Sequence, residues 1–584
     1  MRLLSGILLM TMFLAPALAD EDAFDRLVEE FEAHELEHNP IRAGEQGDLD
    51  AAGRWPDHSP ETLAAKLERE AEFLERLEAI SVDELDESDG ITYALMEHLL
   101  TSRLSLAEFE PQRVSFTNDS GFFSQPFNLA RSTRPSSIAE AEAWLRRLEA
   151  LPDFLAERTA WLKRGIESDF VQPGLVAERV VEQLESLAAE DVEDHTLLLP
   201  LEALPSRVDA GERERVESAM RQAIEDKVAP AYRELLRFFR EEYLAEPRES
   251  VGISAVPEGR EYYRALVRHH TTLDTTPEEI HERGKEEVAR IRAEMEEVIE
   301  QAGFEGSFEE FLHYLRTDPR FYAETERELL MHAAWIAKRA DDEMPRFFRN
   351  LPRLPYGVRP VPESIAPNYT TGRYWSGNLE AGVAGGYMVN TYRLDQRPLY
   401  ELPALTVHEG VPGHHHQIAL AQELDDVPDF RRNSGITAFS EGWALYTEHL
   451  AIEMGIYETP YEDFGRLTYE MWRACRLVVD TGLHYFGWSQ ADAEACLLEN
   501  SALSTHNVRT EVERYISWPG QALAYKTGEL LIRELREQAE DELGEDFDLR
   551  DFHDHILSQG PMPLSALEQR MKDWIDKQSA KLEG

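Results

Sequence analysis

The segment ALTVHEGVPGHHHQIALAQEL holds His408, His414, His415 and His416, with Glu409 directly after the first. The chain has 19 His in 584 residues, so a nine-residue window should hold about 0.3 by composition. Neutral imidazoles together with a carboxylate are the ligands of catalytic zinc, which takes three protein donors and keeps a fourth position open. A Glu next to the first ligand can take a proton from a metal-activated water and pass it to a leaving amine. In the usual His-Glu-x-x-His pattern the two His lie one helical turn apart, but here the +4 position is Pro412. Six residues of unbroken helix would separate His408 from His414 by about 9 Å along the axis and about 240° around it, too far for one ion. Pro412-Gly413 would interrupt such a helix, since Pro removes a donor and Gly frees the backbone. Two looped-out residues would restore the facing geometry, with His414 as second ligand and His415 as the alternative. Downstream, AFSEGWALYTEHLAIEMG offers Glu441 as the third ligand, 27 residues past His414, with Gly442 permitting close approach of a neighbour. The competing role for Glu441 is an acidic side chain stabilising a first helical turn. A Gly-x-Ser-x-Gly elbow and a phosphate-cradling Gly-rich loop are both absent from the sequence.

The elements around this segment read as helices. LAAKLEREAEFLERLEAI, ITYALMEHLLTSRLSLAEF and SIAEAEAWLRRLEAL carry apolar residues at three- and four-residue spacing. Residues 107–137, with Pro111, Pro126 and Pro135, are expected to be irregular. A helix begins at Thr276, with Pro277 in its first turn, Glu279 completing a capping box and Gly303 as its stop. Residues 350–400 are rich in Pro, Gly and aromatics; GYMVNTYRL within them is a strand candidate, and Gly386–Arg393 is either an edge for pairing with a substrate backbone or an ordinary core strand. The expected fold is mainly α, a large two-lobed helical shell with a small β element near 385–393. Its parts are an N-terminal lobe over about 20–350, a cleft segment over about 350–400 and a metal-bearing C-terminal lobe over about 401–584.

Composition narrows the partners. The chain is 42% hydrophobic and 30% charged, with a net charge of −53 and only nine Lys. That mixture supports a folded core, and so acidic a chain lacks the basic surface that nucleic acid or anionic lipid would require. Residues 1–19 combine Arg2, a short apolar run and Ala17-Leu18-Ala19, the layout of a cleavable signal peptide, with no Cys after the run for lipid attachment. The mature chain is therefore expected to be periplasmic or secreted, with no membrane association after cleavage. Export would permit a disulfide between Cys475 and Cys496, the two cysteines present.

HEGVPGHHHQ, SEGWALYTE, WPGQALAYKTGELLIREL and FDLRDFHDHILSQGPMPLSALEQRM together resemble the bacterial domain-of-unknown-function family 885, as does TPEEIHERGKEEVARI. The resemblance covers essentially the whole mature chain. It implies a zinc peptidase whose third ligand is Glu, similar in outline to the thimet oligopeptidase and carboxypeptidase Taq families, which are large helical proteins with a deep cleft. His408, His414 and Glu441 would be the ligands and Glu409 the base. Tyr525, in Tyr525-Lys526-Thr527-Gly528, resembles the Tyr-x-x-Gly oxyanion donor of the carboxypeptidase Taq family. The expected activity is zinc-dependent cleavage of short peptides by a peptidase or carboxypeptidase. An amidase or esterase using the same metal, and a metal-binding pseudo-enzyme, are the alternatives; retention of Glu409 and Tyr525 argues against the second.

Overall fold

The computed structural model describes residues 14–363, 365–379, 382–425 and 427–583; residues 1–13 of the expected signal peptide lie outside them. The chain is mainly α-helical with one small three-stranded sheet. Among the described residues no helix is long and apolar enough to cross a membrane. Two compact units are present. One takes the chain up to Leu85 together with residues 99–262 and 516–518, and the other takes residues 86–98, 263–515 and 519–584.

The first unit is helical. Ser59 and Ser137 accept hydrogen bonds from Thr62 N and Glu140 N and so cap the helices Pro60–Glu78 and Ile138–Glu149. The latter buries Trp144 and Leu148. Residues 107–137, expected to be irregular, contain a helix, Gln125–Ser132. Pro126 stands in its first turn, where the missing N–H has no intrahelical partner to lose. The proline thus begins a helix there, although in the sequence it reads as a breaker.

The second unit includes residues 263–350, which the sequence reading groups with the N-terminal lobe. They fall in this unit because helix α1 (Pro277–Gln301) packs along a later helix, Pro460–Thr481. The capping box of Thr276 and Glu279 starts α1 as its sequence predicts. The sheet follows, with β1 (Tyr356–Pro360), β2 (Gly372–Trp375) and β3 (Gly385–Val389) in spatial order β1-β3-β2. β3 pairs in parallel with β1 and antiparallel with β2, and all five of its residues are buried. Of the two roles expected of this segment, the free edge is overturned and the core strand holds: its backbone groups are spent on two neighbours, and β1 and β2 are the edge strands.

Six helices then carry the candidate site: α2 (Leu402–Glu409), α3 (His414–Gln422), α4 (Thr437–Leu450), α5 (Pro460–Thr481), α6 (Thr505–Ser517) and α7 (Ala524–Leu543). From Phe464 to Thr481 every residue of α5 is buried, including Arg466, Glu470, Arg473 and Arg476. These charges must therefore be paired inside the protein. Cys475 and Cys496 are free thiols, with Cys475 Sγ 3.7 Å from the Cys496 carbonyl oxygen.

Candidate metal centre

The break between α2 and α3 brings the histidines together. α2 ends at Glu409, and the chain turns through Gly410–Gly413 before α3 starts at His414. Gly413 N donates to Val407 O at 3.0 Å, folding the loop back over the last turn of α2. A Cβ on Gly413 would stand 2.0 Å from the His408 carbonyl oxygen, so only glycine fits. Trp443 Nε1 donates to Pro412 O at 2.8 Å and ties the loop to α4. His408 and His414 then face each other, ring centroids 4.8 Å apart and planes at 89°.

Glu441 completes the cluster from α4. Its Oε2 lies 3.4 Å from His408 Nε2 and 3.4 Å from His414 Nε2. One ligand atom from each of the three residues falls within 4.8 Å of the others. Gly442, next in sequence, faces Gly528 of α7. A Cβ on Gly442 would come within 2.5 Å of Gly528 Cα, so the two helices meet backbone to backbone at the level of Glu441.

The electrostatics follow from burial and neighbours. Burial alone would lower the pKa of His408, but the carboxylates of Glu441 and Glu448 outweigh it and raise it to about 9. Burial works against the charge on Glu441, yet His414 and His408 hold its carboxyl well below the usual range. His408 Nδ1 is bonded to Glu448 Oε1 at 2.8 Å, which turns Nε2 toward Glu441. Glu448 is itself 3.9 Å from the Arg473 guanidinium.

These residues fit a zinc ion. Donors 2.0–2.1 Å from a common tetrahedral ion lie about 3.3 Å from one another, close to both observed separations. A charge-assisted hydrogen bond would be shorter, about 2.7–2.9 Å. Glu441 Oε2 is buried with no hydrogen-bond partner, and two nitrogens with one carboxylate are a donor set that zinc accepts.

The other candidates are placed as follows. Glu409 closes α2, is buried, and accepts a 2.6 Å hydrogen bond from Tyr374 N of β2. His415, the alternative ligand, points elsewhere: its Nδ1 meets Tyr374 Oη at 3.0 Å and its ring packs on Tyr356. His416 is bonded to Asn350 O at 3.1 Å. Burial lowers the pKa of these two imidazoles to about 4 and about 3. Tyr525, in the first turn of α7, lies under the Arg476 guanidinium, 4.2 Å from its ring centroid. Its phenol pKa is raised by burial and then by the Glu441 carboxylate.

Three participants were missed in the sequence. Glu448 stands seven residues past Glu441, two turns along the same face of α4. That spacing is a signal, though it does not reveal the partner. Tyr374 and Arg473 carry no local signal, because each arrives by tertiary packing.

A family described as bacterial protein of unknown function, DUF885, matches residues 40–571. Two solved structures, each described as a "putative lipoprotein", share the fold. The one from Colwellia psychrerythraea has a TM-score of 0.89 at 27% identity, covering 96% of this chain and 100% of that one. The one from Shewanella oneidensis has a TM-score of 0.72 at 18% identity, covering 94% and 99%. No curated protein matches the chain.

Proposed function

The chain belongs to the DUF885 family of bacterial proteins, and from that premise and the geometry of the cluster we propose that it is an exported zinc-dependent hydrolase, a peptidase acting on short peptides. The observation that carries this reading is the convergence of His408 Nε2 and His414 Nε2 on an otherwise unpartnered Glu441 Oε2, with Glu448 behind His408. Export is supported by the layout of residues 1–19 and by the description of both structural relatives.

His408, His414 and Glu441 would hold the zinc, which when bound supplies a Lewis acid for the carbonyl and lowers the pKa of a water. Glu448 fixes the tautomer and orientation of His408. Glu409 is the base: the Tyr374 N–H holds one carboxylate oxygen, orienting the group to take the proton of the attacking water and return it to the leaving amine. Tyr525 donates its hydroxyl to the carbonyl oxygen as negative charge develops there, an interaction strongest in the transition state.

The test uses untagged protein, zinc analysis and a mixed peptide library read by mass spectrometry. About one zinc per chain and cut peptides are expected. Glu409→Gln should retain the zinc and lose about 10²–10⁴-fold in turnover, because an amide cannot accept the proton. Zinc below about 0.2 equivalents after supplementation would refute the metal site, a threshold far short of the one ion a three-ligand catalytic set should hold. Hydrolysis of simple esters or amides but of no peptide would move the assignment to a non-peptide substrate.

A further inference from the structure

The usual His-Glu-x-x-His pattern does occur in this chain, at a place the candidate centre does not use. The helix Leu14–His38 ends on His34-Glu35-Leu36-Glu37-His38. It belongs to the first unit, whereas the candidate centre belongs to the second. Three- and four-residue spacing puts His34, Glu37 and His38 on one face of the last turn. The two imidazoles meet with ring centroids 4.6 Å apart and planes at 63°. One ligand atom from each of the three residues lies within 4.8 Å of the others. His34 is 6% exposed, and its Nε2 is buried with no hydrogen-bond partner. Glu70 Oε1 stands 3.8 Å from that nitrogen, beyond hydrogen-bond range. A ring kept only for packing would leave the buried nitrogen unsatisfied, which is costly.

The surrounding charges decide which carboxylate can serve. His34, Glu35 and Glu70 also bring ligand atoms within 4.8 Å of one another, but Arg103 occupies both acids. Its Nη1 and Nη2 donate to the two oxygens of Glu35 at 2.5 and 2.9 Å, and Nη1 donates to Glu70 at 3.0 Å. Lys66 Nζ is a further 3.7 Å from Glu70. Glu37 is exposed and forms no ion pair among the described residues. In the usual pattern the Glu after the first His serves as the base. Glu35 cannot, because Arg103 takes both of its oxygens. The pattern here suits holding a metal and not hydrolysis.

We propose that His34, Glu37 and His38 bind a second divalent ion, zinc, as a structural staple on the end of this helix. Two imidazoles and a carboxylate are a donor set that zinc accepts. The staple would fix the last turn of a helix whose Phe31 packs edge-on against Phe73 of the helix Pro60–Glu78, ring centroids 5.7 Å apart. Glu448 backs His408 at 2.8 Å, whereas His34 has Glu70 only at 3.8 Å. Lack of such a bonded partner costs about 10–100-fold in affinity, so this ion is the weaker one and leaves on dialysis. Zinc is titrated by calorimetry into full-length protein dialysed to constant zinc content. The parent should take up one further equivalent, bound about 10–100-fold more weakly than the tightly held ion. His38→Ala should lose this uptake and Glu37→Gln should weaken it, with the tight zinc and peptide turnover unchanged. His408→Ala should do the converse, losing the tight ion and keeping the weaker. Should His38→Ala fail to fold by circular dichroism, the exposed Glu37→Gln decides alone. Uptake that neither variant alters means an adventitious ion only, held elsewhere on this acidic chain, and overturns the proposal, as does no uptake beyond the tight ion. Neither result touches the peptidase reading. Were the parent to lack a tight zinc, that reading would fail, and a single equivalent lost in His38→Ala would still support this site.

Discussion

His408 is held at both nitrogens, by Glu448 through Nδ1 and toward Glu441 through Nε2. A carboxylate behind a ligating imidazole raises its basicity and fixes its ring, and loss of such a partner typically costs about 10–100-fold in metal affinity. Glu448→Gln should therefore weaken zinc binding by about that factor in a competition titration with a chromogenic chelator. An affinity within twofold of the parent would show that packing alone orients His408. His415→Ala is the companion variant: with its ring against Tyr356 and its Nδ1 on Tyr374, it should leave zinc affinity unchanged. That His408, His414 and Glu441 come together was legible in the sequence because Pro412-Gly413 announces its own break, and Gly442 announces a close neighbour. Which histidine follows the break was not legible. That choice depends on Gly413 N reaching back to Val407 O, a contact one residue's difference in loop length would redirect.

At the level of elements, the site rests on how α1, α5 and α7 are bound together. Lys526, directly after Tyr525, is fully buried, with its ammonium 3.2 Å from Glu287 of α1, 2.9 Å from Glu470 of α5 and 2.7 Å from Glu529 of α7. Glu470 also pairs with Arg290, Arg466 and Arg533. Replacing a whole buried network by apolar residues can be nearly neutral, but removing one member strands the others. Lys526→Met should cost about 3–5 kcal/mol in urea unfolding and displace Tyr525 as α7 loosens. A loss under about 1 kcal/mol would mean that the three arginines already satisfy these carboxylates. Periodicity revealed the helices themselves but not this network: along the chain Lys526 is one polar residue on an amphipathic helix, and only tertiary packing puts it inside. The same holds for β3, whose Tyr and Val suit a strand while the order β1-β3-β2 decides that it is no edge.

Across the whole molecule a net charge of −53 makes every buried carboxyl matter, because the surrounding field already disfavours another negative charge. Glu401, the residue before α2, is buried. Burial pushes its pKa from 4.5 up to about 8, against the opposing pull of Arg397, Arg473 and Arg316. Between those two values the folded protein holds a proton that the unfolded chain has released. The contribution of Glu401 to stability is thus complete below about pH 4.5, is lost as pH rises toward 8, and is constant above that. One such proton corresponds to a slope of about 1.4 kcal/mol per pH unit. Other carboxylates titrate as well, so the readout is a difference: urea unfolding of the parent and of Glu401→Gln, each at pH 5, 6.5, 8 and 9. The variant should gain on the parent as pH rises from 5 to 8, by a few kcal/mol in all, and the gap should then stop widening. Two curves that stay parallel throughout would mean that Glu401 is ionised in the folded protein. The helix bearing His408 and Glu409 would then begin over a carboxylate paired with its arginines.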